Sequence, residues 1–150
     1  IEAFIELYKR GSKAQITFYG GTEERLEELR NRYDLPPTIQ FKGIVDEVPY
    51  HLHQCYLSAS YTELFANACV ESLNQGLLAV LSDVEIAHRF YAGQSDAIRL
   101  FQNKEQLIQI IEEMEQADYS QSNAENIALA SHYSLGTVAQ SYRKLLDRNF

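Results

Sequence analysis

The chain has 150 residues, of which 45% are hydrophobic and 23% charged, and its formal net charge is −8. That composition is ordinary for a soluble globular protein with a single core. No segment concentrates Lys and Arg, which excludes a basic patch for nucleic acid or an anionic membrane surface. A phosphorylated small molecule stays open as a ligand, because backbone N–H groups can hold a phosphate.

The opening segment, IEAFIELYKRG, sets Ile1, Phe4, Ile5 and Tyr8 at helical spacing and stops at Gly11. It begins mid-pattern without an initiator Met, as expected of a piece of a longer protein. QITFYG (15–20) predicts a strand that turns at Gly20-Gly21. TEERLEELRNRYD predicts a helix with Thr22 as N-cap and Leu26, Leu29 and Tyr33 on one stripe, broken by Pro36-Pro37. TIQFKG (38–43) alternates apolar and polar residues and stops at Gly43. VPYHLHQC (48–55) predicts a short helix and YLSAS (56–60) a buried strand.

TELFANACVESLNQG (62–76) predicts a loop entering a helix that ends at Gly76. LLAVLS (77–82) is a continuous apolar run, as in a strand covered on both faces. DVEIAHRFYAG (83–93) predicts a helix and AIRLFQ (97–102) a strand. NKEQLIQIIEEMEQA (103–117) predicts a helix capped by Asn103, with Leu107, Ile111 and Met114 inward. Two further helices are expected over 121–132 and 135–148, the second with Val138, Tyr142 and Leu145 inward. No repeat, low-complexity tract or interdomain linker interrupts the pattern. The alternation predicts an α/β fold, a Rossmann-like parallel sheet with helices on both faces that ends in C-terminal helices.

Sheets of this kind bind ligands at the carboxyl ends of their strands. TELFANACVE (62–71) occupies such a loop, with Glu63 on the approach and Glu71 about one turn inside a helix capped near Asn67. The free N–H groups of that first turn suit a phosphate, and nearby carboxylates accept hydrogen bonds from the hydroxyls of a sugar. The alternative is a solvated loop Glu63 and a helix-forming Glu71 with an exposed tip, and spacing alone favours it. Gly20-Gly21 allows a backbone to approach a ligand, so Gly20 is a candidate. It lacks a G-x-G-x-x-G pattern, however, and a plain turn is the simpler reading. Lys42 and Gly43 likewise read as a solvated strand end and its stop. His51 and His53 point to different helix faces without a ligand pattern around them, so no metal is expected. Cys55 and Cys69 read as free thiols in a reducing compartment, Cys69 as a buried small hydrophobe. Neither a signal peptide nor a long apolar span occurs, and the cytoplasm is the expected location.

The order of segments, IEAFIEL, ITFYGG, EERLEEL, IQFKG and then CYLSASYTELFANACVESLNQGLLAVLSD, resembles the C-terminal domain of the family 4 retaining glycosyltransferases of GT-B fold. Ser60, Glu63, Phe65, Glu71, Gly76, Val80, Ser82 and Asp83 fall in register with that family's pattern. The closing SHYSLGTVAQSYRKLL is similar to its last helix. The resemblance implies that residues 1–150 are one donor-binding domain, with a nucleotide-diphosphate sugar as substrate and no cofactor or metal. It assigns Glu63, as candidate catalytic residue, to the donor sugar, with the backbone of Leu64, Phe65, Ala66 and Asn67 beside it. Glu71 would hold the ribose, and Lys42 and Gly43 would lie near the base. It further implies a retained anomeric configuration and a glycan or lipid acceptor bound by an absent N-terminal domain. An Arg and a Lys before residue 1 would meet the diphosphate, and polysaccharide or glycolipid synthesis in bacteria would be the setting. The isolated chain is then expected to be inactive and to bind donor poorly, while the full protein could lie peripherally on the inner membrane face. Leu64 and Ala66 stand where the family has glycines, and Asp83-Val84-Glu85-Ile86 lacks the usual glycine pair, which marks a divergent or weakened member. A non-catalytic α/β interaction module with solvated glutamates is the competing reading.

Overall fold

The computed structural model describes residues 1–62 and 67–133. Their order is α1 (Glu2–Lys9), β1 (Ile16–Tyr19), α2 (Glu23–Arg32), β2 (Ile39–Gly43), a single 3-10 turn (Tyr50–Leu52) and β3 (Cys55–Ser58). There follow α3 (Asn67–Asn74), β4 (Leu78–Ser82), α4 (Glu85–Tyr91), β5 (Ile98–Phe101), α5 (Lys104–Met114) and α6 (Ser120–Ser131). The expected helix over 135–148 lies outside the described residues. The chain divides into two compact units, Ile1–Pro49 with Gln102–Ala117, and Tyr50–Phe101 with Asp118–Phe150.

In the first unit, β1 and β2 pair in parallel, with Ile16 opposite Ile39 and Phe18 opposite Phe41. The two phenylalanine rings stack with centroids 5.1 Å apart, a cross-strand contact that fixes this register. The register then slips, so that Tyr19 faces Gly43. Helices α2 and α5 begin where their sequences place caps. Thr22 accepts from the Arg25 N–H at 3.4 Å, and the Asn103 side chain accepts from the Gln106 N–H at 2.9 Å. Helix α1 packs on α5, burying Ala3, Phe4 and Leu7 on one side and Leu107, Ile108 and Ile111 on the other. Tyr8, at helical spacing with Ile1, Phe4 and Ile5, is 46% exposed. The buried strip of this two-turn helix centres on Phe4 and Leu7, and Tyr8 falls just past its edge.

The second unit contains a parallel sheet of order β3-β4-β5. Strand β4 is central, and Leu78 to Leu81 are buried, as its continuous apolar run requires. Strand β3 is half-buried along its whole length rather than buried. Within this sheet it flanks β4 instead of lying between two strands. Helices α3 and α6 pack on each other and both contact β4, while α4 contacts β5. Cys69, Leu73, Ala79, Leu81, Ala87, Tyr91, Ile98 and Ala130 form the core they enclose. Every described strand pair is thus parallel and alternates with helices, which is the α/β fold expected from the sequence.

Helix α3 ends where Gly76 takes a left-handed φ of 80°, and the Leu77 N–H returns to the Ser72 carbonyl at 3.1 Å. The turn is held from outside by α6. Asn126, fully buried, donates through Nδ2 to the Leu77 carbonyl at 2.7 Å. Asn123, with its amide nitrogen turned inward, donates to the Gly76 carbonyl at 2.9 Å. These two amides fix the link between α3 and β4, and so the angle at which α3 leaves the sheet.

Candidate functional site

Strand β3 ends at Ser58 and α3 opens at Asn67, so the helix begins on the carboxyl side of the sheet. The candidates Glu63, Leu64, Phe65 and Ala66 lie outside the described residues. Asn67, expected near the cap, is the first described residue of α3. Cys69, Ser72 and Leu73 face the core, and the buried Ser72 hydroxyl donates to the Cys69 carbonyl at 2.7 Å. Asn67 and Glu71, four residues apart, share the opposite, exposed face. The structure therefore brings these two candidates together on one side of the helix that leads out of the carboxyl end.

Glu71 is not an unattached surface acid. Its Oε2 accepts from the Tyr50 hydroxyl at 3.1 Å. Tyr50 opens the 3-10 turn just before β3, and its phenol is pushed up to about 12, first by burial and then by the hydrogen bond to Glu71. At neutral pH it is therefore a fixed donor. Sequence spacing does not mark this contact, since the partners stand 21 residues apart.

The neighbouring strand ends are tied together. The Ser82 hydroxyl donates to the Ser58 carbonyl at 3.3 Å, joining the ends of β3 and β4, and the Asp83 N–H donates to the Phe101 carbonyl at 2.8 Å. Asp83 Oδ1 lies 3.0 Å from Nδ1 of the exposed His88, across the turn into α4. Spacing does not mark this pair, because a separation of five fits no regular helical contact.

In the first unit the carboxyl ends of β1 and β2 close on each other. The Gly20 N–H donates to the Gly43 carbonyl at 2.6 Å, and both glycines have left-handed φ angles, 88° and 65°. A Cβ at Gly20 would meet nothing within 4 Å, so the backbone angle is what requires glycine there. Lys42 is exposed at the end of β2. Gly20, Lys42 and Gly43 belong to this unit, Asn67 and Glu71 to the second. Among the described residues no group of three or more His, Cys, Asp and Glu side chains is arranged to hold a metal ion. Among them, too, no helix is long and apolar enough to cross a membrane.

Parallel strands alternating with helices in this order define the α/β fold of GT-B glycosyltransferases. Residues 1–116 match the family model for glycosyl transferases group 1, and the chain belongs to that family. The fold is similar to that of the pneumococcal O-GlcNAc transferase GtfA, solved in complex with UDP and GlcNAc. That match has a TM-score of 0.75 and 22% identity over 98% of this chain and 32% of that one. A glycosyltransferase from Rickettsia africae matches with a TM-score of 0.77 and 18% identity, over 96% of this chain and 41% of its own. Sucrose-phosphate synthase from Thermosynechococcus elongatus matches at 0.69 and 19% identity, over 98% and 42%. The chain thus spans roughly a third to two fifths of the length of these structures. No curated protein matches it.

Proposed function

We propose that the chain is the nucleotide-sugar-binding domain of a retaining glycosyltransferase that moves a hexose from a nucleoside diphosphate to a glycan or lipid acceptor. The observation that carries this reading is Glu71: an acid on the exposed face of α3, held by Tyr50, beside Asn67 in the first turn. A carboxylate so placed accepts hydrogen bonds from the vicinal hydroxyls of a ribose. The N–H groups of the first turn of α3 are suited to the diphosphate. Glu63, with Leu64, Phe65 and Ala66 after it, is assigned to the donor sugar by the family resemblance alone. Lys42 and Gly43 are assigned to the side of the base in the same way, and Gly20 is a candidate only as a turn where a backbone can approach a ligand.

In the transfer, the bond from the anomeric carbon to the diphosphate oxygen breaks and one to the acceptor hydroxyl oxygen forms, the acceptor proton leaving with the diphosphate or to water. Negative charge grows on the departing diphosphate, and donors already aimed at it lower the barrier. The α3 amides supply part of that stabilisation and cations elsewhere in the whole protein the rest. The chemistry needs no cofactor or metal from this chain. A bacterial polysaccharide or glycolipid as product, and a cytoplasmic site on the inner membrane face, complete the proposal.

The test is sugar transfer by the whole protein that carries this chain, assayed across a panel of nucleotide sugars. Glu71→Gln and Glu63→Gln should each lower kcat/KM by about 10- to 100-fold, as loss of a charged hydrogen bond does, with melting unchanged. Full transfer by both variants would refute the assignment and favour a non-catalytic module.

A further inference from the structure

Glu71 stands on an exposed helix face, where a glutamate ordinarily samples many rotamers. Here one of its two oxygens is tethered. Tyr50 reaches it from a half-buried position at the entrance to β3, with a rigid ring that has only two side-chain torsions. A carboxylate offers about four acceptor positions, and the Tyr50 hydroxyl occupies one of them, on Oε2. Among the described residues, nothing donates to Oε1. We propose that Tyr50 is a positioning residue: its hydroxyl holds Glu71 by Oε2 and so presents Oε1 to a ribose hydroxyl of the donor nucleotide. This rests on the donor-site reading of Glu71 given above. A phenol suits the task, because it stays protonated at any physiological pH and so never sets a second negative charge beside the carboxylate.

A purely structural Tyr50 would act through its ring, which Tyr50→Phe preserves, whereas a positioning Tyr50 acts through its hydroxyl. The experiment is calorimetric titration of the whole protein with UDP, ADP and GDP, followed by the 2′-deoxy and 3′-deoxy forms of whichever binds. Tyr50→Phe should weaken the ribonucleotide about three- to tenfold, the worth of one hydrogen bond, and raise KM for the nucleotide sugar while kcat and melting hold. The weakening should disappear with the deoxy analogue that lacks the hydroxyl Glu71 accepts, since hydroxyl and tether then act as one unit. Equal weakening of ribo and deoxy ligands, or none at all, would overturn the proposal. Glu71→Gln separates the two levels. If it weakens the ribonucleotide and Tyr50→Phe does not, positioning falls and the donor site stands; if Glu71→Gln changes nothing, both fall.

Discussion

Asn126 gives the sharpest test of the architecture. Its side chain is 0% exposed, Nδ2 donates to the Leu77 carbonyl at 2.7 Å, and Oδ1 is buried with no hydrogen-bond partner among the described residues. Asn126→Ala removes the donor from a buried carbonyl, at a cost of about 1–3 kcal/mol, and also removes the unpaired Oδ1, which returns part of that cost. The net expectation is a loss of about 1–2 kcal/mol, or a drop in Tm of about 2–8 °C for a chain of this size. Asn126→Asp separates the two effects by pH. A protonated Asp can still donate to Leu77, but a carboxylate faces a carbonyl at a fully buried position, so its folded pKa lies above the unfolded value of about 3.9. Between those values the folded state holds the extra proton, so stability falls as pH rises, by about 1.4 kcal/mol per pH unit. The variant should be close to wild type near pH 4 and lose up to about 4 kcal/mol by pH 7. Urea unfolding followed by far-UV circular dichroism at both values measures this. Wild-type stability of Asn126→Asp at pH 7 would refute the view that α6 clamps the Leu77 carbonyl from a buried position.

Other expectations follow from burial and charge. Leu73→Ala, at a fully buried position in the second unit's core, should cost about 2–5 kcal/mol in the same unfolding assay, whereas Leu52→Ala, 69% exposed, should stay within about 0.5 kcal/mol. Burial pushes the Cys55 thiol up to about 12 from 9.0, so at pH 8 native Cys55 should react with iodoacetamide roughly a thousandfold more slowly than in urea. Because Cys55 and Tyr50 both have folded values near 12, above their unfolded ones, their contribution to stability is complete below about pH 9 and is lost as pH rises towards 12. Alkaline unfolding of wild type should therefore begin in that window, and Tyr50→Phe should flatten it.

Most of the fold is legible in the sequence because local signals carry it. Thr22 and Asn103 announce helix starts by their own chemistry, Gly76 a stop, and the run from Leu77 to Leu81 a covered strand. The signals fail where position depends on a distant partner. Tyr8 keeps helical spacing yet lies past the edge of the strip that α1 buries, and β3 is apolar in sequence but only half-buried. In the site, the spacing of the two glutamates and the family order pointed to Glu71 and Asn67, and α3 does set them on one face. The hydroxyl of Tyr50, 21 residues from Glu71, and the amide of Asn126, 49 residues from Leu77, leave no periodic trace. Such contacts arise only when parallel crossovers bring separate segments side by side, and a single chain read in order does not display them.

The central claim is that Glu71 binds the ribose of a donor nucleotide, and the most direct measurement is the Kd of the whole protein for UDP, ADP and GDP with and without Glu71→Gln. At least one nucleoside diphosphate should bind wild type, and the substitution should weaken it by about tenfold or more with an unchanged Tm. Equal binding by the two proteins, or binding of none of the three to either, would contradict the account.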